Sequence, residues 1–361
     1  METVSGHFLH GRPDARFVNL SGHEAIAHFG APAVEYDAAR ERVALHDASY
    51  RPWLRITGED RLTFLHGMVT QDINGLAAGH ATYAAMLTVK GAMVADARVL
   101  RREEDLILDL EPGTAARVLE FLGKYLISEE AELHDATDAL ALLRLIGPRT
   151  EDTLAALLGE AWAPLAHLAL REVKLAGVPV LLAGNTALGL PGVDLVVPRA
   201  SLGAVWDVLE RAGAPLGLRP LGIDALEILR VEAGVPRFGQ DMGETTIPLE
   251  ANLAHAISYN KGCYIGQEVI ARATFRGHMN RKLTGLLLSA DVAPGDFLMR
   301  ADKKVGWITS VVQSPQLSQR IGLGYVHRDS LDAGTLLVVG EGVAHATVQP
   351  LPFPLARTSS G

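Results

Sequence analysis

Apolar and polar positions along this chain fall into short runs of two periods, and the runs change character with position. WLRIT at 53–57 alternates, which predicts a half-buried strand. In GEDRLTFLHGMVTQDI, Leu62, Leu65 and Val69 recur at helical spacing, with Phe64 and Met68 beside them. TYAAMLTV and MVADARVL flank Lys90-Gly91-Ala92 and read as a hairpin. LILDLE predicts a strand, and Pro112 to Tyr125 a helix. Residues 50–135 therefore read strand, helix, hairpin, strand, helix, strand. Residues 34–46 suit a helix, whereas the first thirty show little periodicity and read as a loosely ordered lead-in.

Residues 140–212 repeat that grammar loosely. LALLRLI, PVLLA and DLVVP are strand-like and ASLGAVWDVLERAG is helical. GAPLGLRP at 213–220 reads as a connector, and LGIDALEILRVEAG as a helix stopped by Gly234 and Pro236. Beyond residue 282 six short strand-like runs follow with turns between them, which predicts a small antiparallel barrel or sandwich. The class is α+β with an all-β C-terminal domain.

Composition narrows the function. With 361 residues, 48% hydrophobic and 21% charged, the chain is an ordinary globular protein with room for two or three domains. A net charge of −9 makes it a poor general binder of nucleic acid or anionic membrane. No run reaches the roughly 18 apolar residues of a membrane helix, and the first residues lack a secretory pattern. One cysteine excludes an internal disulfide and a thiolate-rich metal site within one chain, so the reading is cytoplasmic with no metal. His23 and His28 are five apart and would not share a helical face as zinc ligands do. Phosphate-loop and serine-elbow motifs are absent from the sequence.

One stretch concentrates unusual features: Lys261-Gly262-Cys263-Tyr264-Ile265-Gly266-Gln267-Glu268. Two glycines four apart permit left-handed backbone, and the only thiol lies between a Lys-Gly pair and an aromatic ring. Between 261 and 282 five cations, Lys261, Arg272, Arg276, Arg281 and Lys282, stand against Glu268 alone. Such a basic focus suits an anionic ligand or partner, or a solvated helix face. The thiol suits a small buried side chain, or a thiolate favoured by Lys261 and a helix N-terminus.

The octet resembles the signature of the folate-binding YgfZ-type family, relatives of the glycine-cleavage T-protein (aminomethyltransferase). LGIDALEILRVEAGVPRFGQDM at 221–242, Thr246 to Glu250, and VGWITSVVQSPQLSQRIGLGYV at 305–326 extend the similarity; RITGEDRLTFLHGMVTQDI extends it more loosely. The resemblance implies a T-protein-like ring of three domains, two α+β and one C-terminal antiparallel β-barrel, with tetrahydrofolate or a one-carbon derivative in the central opening. The implied division is residues 1–50 with 136–280 as a discontinuous folate-binding region open to further division, 51–135 as an α+β domain, and 281–361 as the barrel.

Departures from the T-protein pattern favour the YgfZ branch. The paired aspartates reduce to Asp96, the loop before the middle-domain strand shortens to residues 189–194, and the octet carries a cysteine. That branch implies an accessory protein supporting assembly or repair of iron–sulfur enzymes, and through them tRNA modification. The alternatives are a true aminomethyltransferase and a direct tRNA-binding protein. The resemblance implies Asp194 at the pterin edge and Arg230, with Glu232 beside it on the same helix, on the pocket wall; Tyr83 and Met86, on the hairpin arm before Lys90, suit packing on the ring or a place in the core. Asp96 and Cys263 are the implied reactive groups, and Arg272, Arg276 or Lys282 would meet an anionic folate tail or a partner. The sequence leaves the oligomeric state open.

Overall fold

The computed structural model describes residues 7–159, 162–275, 277, 279–340, 342 and 344–355. The chain begins with an antiparallel hairpin, β1 (Ala15–Leu20) and β2 (His23–Phe29), followed by α1 (Pro32–Glu41) and β3 (Ala44–Asp47). The second unit comprises β4 (Trp53–Thr57), α2 (Arg61–Met68), β5 (His80–Leu87), β6 (Met93–Arg101), β7 (Leu106–Leu110), α3 (Ala115–Tyr125) and β8 (Glu132–Asp135). The chain then returns through β9 (Leu140–Ile146), α4 (Thr150–Leu158), β10 (Leu170–Leu175), β11 (Val178–Gly184), β12 (Gly192–Pro198), α5 (Leu202–Gly213), β13 (Arg219–Leu221) and α6 (Ile223–Glu232). After α7 (Gln267–Phe275) come β14 (Arg281–Leu288), β15 (Phe297–Arg300), β16 (Lys303–Ser314), β17 (Gln319–His327), β18 (Leu336–Val339) and β19 (Ala344–Gln349).

Besides the β1–β2 hairpin, three larger sheets carry this order. The first is six-stranded, β10-β11-β12-β9-β3-β13; the second is five-stranded, β5-β6-β7-β4-β8; β14 to β19 close into a barrel. The first sheet is built from both sides of the second unit, because β3 pairs with β9 across residues 48–139 of intervening chain. The fold is thus two α+β units and a closed antiparallel barrel.

Each unit has its own core. In the second, Leu54, Ile56, Ala95, Ala97, Val99, Leu108 and Leu110 bury one sheet face under Phe64 and Leu65 of α2 and Val118 and Leu122 of α3. Period-two alternation dictates that the intervening residues emerge on the opposite face. That face turns toward the first sheet.

The lead-in reading of the first thirty residues is corrected by the β1–β2 hairpin. Its strands are only sparsely buried (five of the six residues of β1 are exposed or half-exposed), so they carry no strong alternation to read. The helix expected over 34–46 ends at Glu41, and Ala44 to Asp47 join the first sheet. No helix among the described residues is long and apolar enough to cross a membrane.

Candidate functional site

The polar face of the five-stranded sheet holds the chemistry. Tyr83 lies opposite Arg98, Ala85 opposite Asp96, and Arg98 opposite Asp109. Carried one step further, the β6–β7 register sets Asp96 opposite Glu111, so the two carboxyls are cross-strand neighbours on one face.

From this face an alternating chain of charges runs into the first sheet. Glu111 Oε1 accepts from Arg51 Nη1 at 2.5 Å, and Arg51 Nε donates to Asp109 Oδ1 at 2.5 Å. Asp109 Oδ2 accepts from Arg98 at 3.1 Å. Arg98 then reaches Asp194 Oδ2 on β12 at 2.5 Å. Arg144, opposite Asp194 on β9, closes the chain with bonds of 2.6 and 3.0 Å, and Asn185 adds one of 3.0 Å. Burial alone would raise the Asp194 carboxyl; Arg144 and Arg98 outweigh it and hold Asp194 well below the usual carboxylate range. Every acid in this chain is thus paired and hydrogen-bonded, the condition for keeping charge inside a protein.

Asp96 is different. It is 7% exposed. Tyr83 donates its hydroxyl proton to Oδ2 at 2.6 Å, while Oδ1 is buried with no hydrogen-bond partner. Burial, and after it the charge of Glu111, push this carboxyl up to about 7. Tyr83 is held well above its usual range by burial and by Asp96. The His255 ring stacks on Tyr83 at 5.6 Å and 18°, and burial holds His255 below its usual range.

A cavity of about 600 Å³ opens beside this cluster, between the two α+β units and the segment after α6. Its wall includes Tyr50, Arg51, Glu111, Arg144, Arg237 and Phe238. Glu111 lines it, with Arg51 donating to Oε1. Arg51 and Arg237 outweigh burial to keep this carboxyl below its usual value.

The expected site residues divide. Tyr83 and Asp96 form one unit, and Arg230 lines the cavity. Its guanidinium is wholly engaged, with Glu227, Asp241 at 2.7 Å, the Val235 carbonyl and Ser310 at 2.7 Å, which ties α6 to the barrel. Asp194 is fully buried and its oxygens are taken by arginines, so it stands as their anchor rather than as an open acceptor. Met86 is a correction: β-alternation turns it into the core under α2 and α3, away from Asp96. Glu232 is another: it accepts from Tyr36 and Ser314 and lines a separate cavity.

The octet is largely a structural joint. Lys261 Nζ donates to the carbonyls of His66, Val69 and Gln71, capping the end of α2, and burial brings it down to about 8. Tyr264 is buried, with Lys261 over its ring at 5.0 Å. Gly266 has φ +83°, and a Cβ there would meet the Thr88 carbonyl oxygen at 2.7 Å. Gly262 lies in the loop before α7, and Gln267 and Glu268 open that helix. Cys263 is exposed and lines neither this cavity nor the other described hollows, against its expected place beside the ligand.

The expected anionic-tail contacts also lie elsewhere. Arg272 is exposed and pairs with Glu268 at 2.6 Å; Lys282 edges a hollow on the barrel; Arg276 lies outside the described residues. The arginines at the cavity are instead Arg51, Arg117, Arg144, Arg230 and Arg237. Sequence reasoning passed over Arg98, Arg144 and Glu111, although a lone arginine in LALLRLI and the alternating acids of LILDLE are charges inside strand patterns, a signal of a polar inner face.

Two α+β units followed by a closed antiparallel barrel define the architecture, and comparison makes the membership specific. The GCVT N-terminal domain matches residues 7–261, and the glycine cleavage T-protein C-terminal barrel domain matches 281–354. This chain belongs to the glycine cleavage T-protein family. It is 29% identical to an aminomethyltransferase of Pelodictyon phaeoclathratiforme over 98% of both chains. It is 30% identical to one of Shouchella clausii, covering 92% of this chain and 91% of that protein. The crystal structure of glycine cleavage system aminomethyltransferase T from Bartonella henselae shares the fold, with a TM-score of 0.87, 23% identity and 96% coverage of each chain.

Proposed function

We propose that this protein is a folate-dependent one-carbon transferase of the aminomethyltransferase kind. The carrying observation is the Tyr83–Asp96 unit behind Glu111 of the cavity wall: a buried carboxyl poised near 7, with one oxygen fixed and the other without a donor. The full-length similarity to proteins named aminomethyltransferase supports the same reading.

The cavity fits a reduced folate on three counts. Its volume accommodates a cofactor-sized ligand. Glu111, on the cavity wall, offers a carboxylate acceptor for the ring's N–H or amino edge, and Asp96 lies behind it in the sheet with Oδ1 buried and unpartnered. Phe238 supplies an apolar wall. When bound, the folate supplies the ring nitrogens that accept the one-carbon unit. Asp96 holds and moves a proton at Oδ1; Tyr83 fixes Oδ2 and so the carboxyl plane; His255 braces the Tyr83 ring. Glu111 receives the amino edge of the ring, the role first expected of Asp194. Calorimetric titration of the full chain with tetrahydrofolate tests the reading: saturable binding that weakens in Glu111→Gln supports it, and no heat overturns it.

A second reading, an accessory protein of the YgfZ type supporting iron–sulfur enzymes, rests on the exposed Cys263 within the octet and on the single acid at Asp96. It predicts that Cys263→Ala lowers the activity of an iron–sulfur tRNA-thiolating enzyme in cells while folate binding persists. Direct tRNA binding has less support, because Arg272 and Arg281 of the basic run are already paired with Glu268 and Glu250.

A further inference from the structure

A second cavity, of about 470 Å³, lies between the end of α1, the 186–190 loop, the end of α6 and the segment Pro352 to Leu355. Arg40, in the last turn of α1, lines it. This arginine is only 8% exposed, yet its Nε is buried with no hydrogen-bond partner, and it makes no ion pair among the described residues. Buried guanidinium groups are ordinarily paired, since an unmet donor forfeits its hydration without return.

The acid that shares the cavity does not meet the need. Glu232 lines the same cavity, but both its oxygens already accept from Tyr36, at 2.9 and 2.7 Å, and Oε1 also accepts from Ser314 at 2.6 Å. It balances Arg40 through space without satisfying its donors. Of the remaining wall, Leu188, Leu190, Leu229 and Phe353 are apolar, with Thr186 the one other polar side chain. A rigid fork of N–H donors at one end and aliphatic and aromatic surface at the other is complementary to a carboxylate joined to an apolar body.

We propose that this cavity is a second ligand site, in which Arg40 receives the carboxylate of a small organic acid and Leu188, Leu190, Leu229 and Phe353 hold its apolar body. The site shares only Leu188 with the central cavity and contains neither Asp96 nor Glu111. The proposal therefore stands whether or not folate binds beside Asp96.

The test is titration of the full chain with benzoate, benzamide and inorganic phosphate, followed by calorimetry and by the arginine Nε resonances of ¹⁵N-labelled protein. Benzoate is expected to bind saturably at one site, to move the Arg40 Nε resonance, and to bind about tenfold or more weakly to Arg40→Gln. Benzamide lacks the charge and phosphate lacks the apolar body, so each is expected to bind at least about tenfold more weakly than benzoate. Absence of saturable benzoate binding, equal binding of benzamide or phosphate, or undiminished affinity in Arg40→Gln would overturn the proposal. If Arg40→Gln does not fold, the wild-type Arg40 resonance decides: movement on adding benzoate supports the site, and a stationary signal refutes it.

Discussion

Tyr83 and Asp96, diagonal neighbours on adjacent strands, share a 2.6 Å hydrogen bond that consumes one carboxylate oxygen and leaves the other without a donor. Glu111, whose charge acts on Asp96, lines the cavity between the two α+β units. The arrangement resembles a general acid–base group held in one orientation and tuned to neutral pH.

The tuning has a sign. Asp96 keeps its proton in the folded protein up to about pH 7, whereas in the unfolded chain it ionises near 4. Its contribution to stability is therefore undiminished below about pH 4 and declines as pH rises to about 7, by up to ~4 kcal/mol. Asp96→Asn should remove that decline, seen as a flatter dependence of the denaturation midpoint on pH. Transfer activity should rise through the same range in the wild type as the carboxylate forms.

Glu111 raises Asp96 by its charge and faces the cavity. Glu111→Gln should move the rising limb of the pH–rate profile to lower pH. It should also weaken tetrahydrofolate binding about tenfold through loss of one charge-assisted hydrogen bond. Calorimetry and a pH–rate series read the two effects separately.

Asp194 carries two buried arginines from two sheets. Asp194→Asn should leave Arg98 and Arg144 short of their counter-charge and cost about 3–5 kcal/mol in chemical denaturation. The effect on stability should exceed that on folate affinity, the reverse of the pattern for Glu111→Gln.

Cys263 is solvent-exposed and distant in role from the joint formed by Lys261, Tyr264 and Gly266. Cys263→Ala should change stability by less than ~0.5 kcal/mol and leave folate binding and transfer unaltered. A loss of either would place the thiol in the folate chemistry after all.

Much of the fold was legible because strong periodicity and turn residues survive in sequence: the 82–100 hairpin, the helix before Gly234 and the six barrel strands all announce themselves locally. The β1–β2 hairpin did not, because few of its residues are buried. For the site, Tyr83, Asp96 and Arg230 could be named from motif positions, but their partners could not. Arg98 meets Asp194 only because two sheets face each other, a contact ninety-six residues apart that no local pattern encodes. Cys263 drew attention by being unique, yet the fold uses its neighbours to cap α2 and seat α7 and turns the sulfur outward. Met86 lay one residue from the polar face, and strand alternation sent it to the core.

The central claim is tested most directly by supplying tetrahydrofolate and an aminomethyl-carrying lipoyl protein and following methylenetetrahydrofolate formation by wild type and Asp96→Asn. The expected result is steady formation by the wild type and a loss of about a hundredfold or more in Asp96→Asn, with tetrahydrofolate still bound by the variant. No product from the wild type, or an equal rate from Asp96→Asn, would contradict it.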